Sequence, residues 1–136
     1  MKNKIKRLLS ALICIMLLMS FVGCSDKNIN ISSNSSGKAT FKTEKSNVET
    51  DLSKEDVKAI ADIFDGKETY KDTVGGTASC GFSTDVSVTI DGKTYCFAMD
   101  GCFIVKTDLS FFNLSLEEYK QIRAILEKYG FYFPCV

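Results

Sequence analysis

The chain has no histidine among its 136 residues. That removes Ser-His-acid and Cys-His catalysis, imidazole metal ligands and the usual proton carrier near neutral pH. It has no Cys-x-x-Cys pair either: the shortest cysteine spacing outside the N-terminal segment runs from Cys96 to Cys102, so the common zinc and dithiol redox patterns are missing. A surplus of positive charge is absent too, with 17 basic against 17 acidic residues. Gly75-Gly76 is a lone pair, far short of a phosphate-binding fingerprint. No uncharged run reaches the roughly 20 residues that span a bilayer.

The longest uncharged run is residues 8–25, its apolar part spans residues 8–22, and it follows Lys2, Lys4, Lys6 and Arg7. A basic start followed by about fifteen mainly apolar residues has the form of an export signal. Its end, Phe21-Val22-Gly23-Cys24, resembles the lipobox of bacterial lipoproteins. In that class small residues precede a cysteine that is acylated and becomes the new N-terminus after cleavage. The resemblance implies a signal peptide at residues 1–23 and a lipid on Cys24. It also implies a protein attached to the bacterial cell membrane and facing away from the cytoplasm. It covers residues 1–24 only and carries no activity with it.

Four of the basic residues and none of the acidic ones lie in that signal, so the mature chain carries a net charge of about −4. Nucleic-acid binding relies on clustered Lys and Arg to neutralise phosphate and is not expected. An anionic lipid surface likewise finds no basic patch to hold. Residues 24–50 are rich in Ser, Asn, Lys and Thr, and Ile29 and Ile31 are the only large apolar residues before Phe41. The expectation is a flexible tether after the lipidated cysteine, about 25 to 30 Å in mean reach.

Residues 51–136 are then expected to fold as one small α+β domain in the order α-β-β-β-α. Ser53 caps a first helix with Asp56 at the capping-box position, and Val57, Ile60, Ala61 and Phe64 form its apolar stripe up to Gly66. Ser115-x-x-Glu118 opens a second helix whose buried side is Tyr119, Ile122, Leu126 and Tyr129, and Gly130 closes it. Between them an antiparallel meander is expected, turning at Asp91-Gly92 and Asp100-Gly101. Two-residue loops would set Val88 against Tyr95, Val86 against Phe97 and Phe97 against Ile104. The inward face is then Val86, Val88, Ile90, Tyr95, Phe97, Met99 and Ile104, covered by both helices. Phe103 and Val105 fall on the other face. They form either a small contact surface or a patch covered by the aromatic tail at residues 131–135.

Cys80, Cys96, Cys102 and Cys135 remain in the domain, and an even number in a small exported fold reads as disulfides. The inferred register favours Cys80 with Cys102 and Cys96 with Cys135, against the rival of Cys80 with Cys96 and Cys102 with Cys135. No catalytic residue, metal site or cofactor is assigned. Asp91 and Asp100 are explained by turn geometry, and Glu117 and Glu118 by the cap and the helix dipole. The reading is a lipid-anchored surface module that binds a protein, peptide or cell-wall component. The alternatives are an extracytoplasmic thiol-disulfide enzyme or a structural lipoprotein with no dedicated ligand.

Overall fold

A computed structural model describes residues 28–32, 34–44, 47–71, 81–99, 101–108 and 110–131. The order of elements is β1 (Gly37–Lys42), β2 (Asn47–Asp51), α1 (Lys54–Phe64), β3 (Phe82–Ile90), β4 (Lys93–Ala98), β5 (Ile104–Thr107), β6 (Ser110–Asn113) and α2 (Leu116–Glu127). The strands make one antiparallel six-stranded sheet in the order β2-β1-β3-β4-β5-β6, and the two helices share a core with one face of it. The fold is α+β.

Each helix begins and ends as its residues dictate. Ser53 Oγ accepts from the Asp56 N–H at 3.1 Å. Ser115 and Glu118 form a full reciprocal capping box, at 3.2 and 2.7 Å. Gly66 and Gly130 follow the two helices at φ 72° and 85°, a left-handed backbone that glycine adopts without a Cβ clash. The buried stripe of α1 is Val57, Ile60, Ala61 and Phe64, as expected. In α2 it is Tyr119, Ile122, Ile125 and Leu126, so Ile125 joins the core and Tyr129 is only half-buried.

The helices run antiparallel end to end, and each capping acid recruits a lysine from beyond the other helix. Asp56 accepts from Lys128 Nζ at 2.9 Å and from the Tyr129 hydroxyl at 2.7 Å, while Glu118 accepts from Lys67 Nζ at 2.7 Å. Phe64 then stands at the centre of the core, its ring centroid 4.9 Å from Tyr95 and 5.1 Å from Phe112.

The turn at Asp91-Gly92 has positive φ at both residues, 50° and 79°, which is the type I′ hairpin geometry that matches strand twist. It sets Val88 against Tyr95 as expected. The turn expected at Asp100-Gly101 includes Asp100, which lies outside the described residues. The whole connection from β4 to β5 is longer than a two-residue loop, because β4 ends at Ala98 and β5 starts at Ile104. Phe97 consequently faces Val105, where Ile104 was expected. A slip of one residue exchanges the two faces of a strand, so Val105 is fully buried and Ile104 is only half-buried.

The larger correction concerns the segment expected as tether. Residues 37–42 and 47–51 form β1 and β2, with Ala39 and Phe41 buried on the helix face. β1 lies inside the sheet, paired on both sides, with β2 and with β3. Ile29 is buried as well, its N–H donating to the Lys67 carbonyl at 3.2 Å. The domain therefore reaches back at least to Asn28, well before residue 51. A polar composition concealed it because Lys38, Thr40 and Lys42 occupy the solvent side of β1, leaving Ala39 and Phe41 as its whole inward contribution. Phe111-Phe112 belongs to the sixth strand.

Candidate functional site

The sheet face opposite the helices is built from every second residue of the strands, and no described helix covers it. Thr40, Ser87, Cys96, Lys106 and Phe111 lie in register across five strands. Beside them Thr89 and Thr94 face each other, with hydroxyl oxygens 3.1 Å apart, and Lys38 pairs with Glu49 toward the β2 edge.

The β3 strand is irregular between Phe82 and Ser87. There the Ser87 hydroxyl turns back to donate to the Thr84 carbonyl at 2.6 Å and the Asp85 N–H donates to Ser83 Oγ at 3.0 Å. A bulge bends its strand, and the bend opens a concavity of about 270 Å³ lined by Phe82, Thr84, Thr94, Cys96, Lys106 and Asp108. An aromatic group borders it: Phe111 packs on Phe82 at 5.5 Å and on Tyr70 at 6.0 Å between centroids. Tyr70 is held to the β6 edge by a reciprocal pair of backbone hydrogen bonds with Phe111, at 2.9 and 2.8 Å, and its hydroxyl donates to Asn113 Oδ1 at 3.0 Å.

Cys96 carries a free thiol. This removes one bond from each expected scheme, Cys96 with Cys135 from the first and Cys80 with Cys96 from its rival. Its cross-strand neighbours are Ser87 and Lys106, and a disulfide requires a second cysteine with its Cα within about 7 Å. Cys102 is disulfide-bonded. Cys80 and Cys135 lie outside the described residues, as do Cys24 and residues 132–135 of the tail expected to cover the outer face; Phe131, the first residue of that tail, is buried instead against Phe41 on the helix side, 5.0 Å between centroids.

Burial pushes the Cys96 thiol above its ordinary range, with the Lys106 charge acting in the opposite direction. A protonated thiol is a poor nucleophile. The concavity offers hydroxyls, one ammonium, one carboxylate and an aromatic border, which together suit contact by hydrogen bonding and stacking. Among the described residues no cluster of three or more Cys, Asp or Glu side chains is arranged to hold a metal ion. No described helix is long and apolar enough to cross a membrane.

Phe103 and Val105, expected together on the outer face as either a contact surface or a covered patch, do not lie there as a pair. Val105 is buried in the core beneath the helices, and Phe103 packs on Tyr119 of α2 at 5.0 Å between centroids. Thr94 and Cys96 fall on the outer face as the alternation of β4 about Tyr95 and Phe97 implies, but the other residues that line the concavity were hidden from sequence reasoning. The bulge breaks the alternation that would have placed Phe82 and Thr84, and the slipped register moves Lys106 to the outer side. No protein-family model, curated protein or solved structure matches this chain.

Proposed function

We propose that the chain is a lipid-anchored bacterial surface lipoprotein whose domain is a binding module, contacting an extracytoplasmic protein, peptide or cell-wall component through the sheet face opposite its helices. The observation that carries this reading is the asymmetry of the sheet. One face is sealed by two helices, and the other presents a bent, mixed polar and aromatic surface around Thr94, Cys96 and Lys106. The lipobox-like residues ending at Cys24 support the anchor. The thiol-disulfide alternative draws no support from Cys96, whose half-buried thiol is pushed above its ordinary range by burial.

The test is sedimentation of the purified domain with isolated peptidoglycan, and separately with solubilised envelope proteins, comparing Lys106→Glu and Thr94→Lys with Lys120→Glu on the exposed side of α2. Loss of binding in the first two with retention in the third is the expected result. Binding that ignores the outer-face changes, or no binding to either fraction, contradicts the proposal.

A further inference from the structure

We infer that the domain sits directly on the bilayer that holds its anchor, with the corner formed by the end of α1, the start of α2 and the β6 edge against the lipid headgroups and the β2 edge pointing away. This rests on the anchored reading of Cys24. The argument is one of chain length. A fold that reaches back to Asn28 leaves at most four peptide links between Cys24 and the domain, and an extended chain covers at most ~3.6 Å per link, roughly 14 Å in all. A tether reaching to residue 50 would have left the domain free to tumble. This one is shorter than the domain is wide.

The chain enters at a defined place. Asn28 pairs with Glu68 in an antiparallel bridge, and the Gly66 N–H donates to the Ile29 carbonyl at 2.9 Å, just beyond α1. Lys67 in the same segment holds Glu118 in the first turn of α2, and Tyr70 two residues past the bridge joins β6 through Phe111. At this corner stands Leu116, the first residue of α2, 46% exposed and the only large exposed hydrophobic side chain among the described residues. β2 lies at the opposite edge of the sheet, five strand spacings of about 4.8 Å away. The occupant of the corner is the lipid surface itself. With a mature net charge of about −4, contact is imposed by the anchor and is insensitive to salt.

Because the chain has no tryptophan, single reporters can be placed at will. The full-length protein, purified from membranes as wild type, Leu116→Trp and Asn47→Trp, is reconstituted in phosphatidylcholine vesicles carrying a headgroup acceptor dye. Energy transfer several-fold stronger from position 116 than from position 47, unchanged by added salt, is expected. A Gly/Ser spacer as long as residues 25–50, inserted between Asp26 and Lys27, should abolish the difference. Equal transfer from both positions, or stronger transfer from position 47, overturns the orientation. Intact mass of the N-terminal peptide separates the two readings: Cys24 without a lipid defeats the anchor and this inference with it, whereas lipid on Cys24 with equal transfer defeats only the inference.

Discussion

Gly37 stands where β1 passes under α1. A Cβ built there would lie 2.7 Å from Val57 Cγ2, and Val57 is buried and branched at Cβ, with little freedom to move aside. Gly37→Ala is therefore expected to lower unfolding stability by about 1 to 3 kcal/mol in urea titration, the usual range for overpacking. In a mobile tether the same change would leave the midpoint unmoved. Thr107 works in the opposite sense. It is 1% exposed and its hydroxyl has no hydrogen-bond partner among the described residues. A buried unpaired hydroxyl costs about 1 to 3 kcal/mol, so the near-isosteric Thr107→Val should raise the unfolding midpoint. Neither residue could have been singled out from sequence. Gly37 sits in a polar stretch, and Thr107 owes its burial to the shifted register of β5.

The elements differ in how much of their identity lies in local sequence. Both helices carry their own start, stripe and stop, so Ser53, Asp56, Gly66, Ser115, Glu118 and Gly130 were legible without the fold. The hairpin at Asp91-Gly92 was legible for the same reason. β1, β2 and β6 were not, because a short strand with two inward side chains has no local signature and acquires its conformation by pairing. The slip of β5 was invisible because it depends on the length of the loop before it, and the concavity around Cys96 because it depends on a bulge.

The acids that cap the helices also tie them together, which makes this element pair sensitive to acid. The Lys128 ammonium beside Asp56, with the Tyr129 and Ser53 bonds, holds its carboxyl below the usual range against the cost of burial. For Glu118 burial acts upward, but Lys67 and the Ser115 bonds outweigh it and leave the carboxyl lowered. A group whose folded pKa is depressed contributes stability that is complete above its unfolded pKa and is lost as pH falls through the folded value. Unfolding stability should thus fall with pH below the ordinary carboxylate values of 3.8 and 4.5. In an Asp56→Asn, Glu118→Gln double variant that fall should be shallower, and stability near neutral pH should be reduced. Parallel acid limbs for the variant and the wild type would show that these contacts do not contribute.

At the scale of the whole molecule, the position of the N-terminal boundary decides the rest. If residues 37–42 and 47–51 are strands, the sheet has six members, its helix-free face spans from β2 to β6, and on the proposed anchored reading the link to Cys24 is too short to hold the domain away from the membrane. The most direct measurement is amide hydrogen exchange of residues 39–41, read against residues 86–88 in β3. Protection of both segments to the same degree is the predicted result, since β1 is paired on both edges. Exchange of residues 39–41 at the rate of an unstructured peptide, with residues 86–88 still protected, would contradict the account.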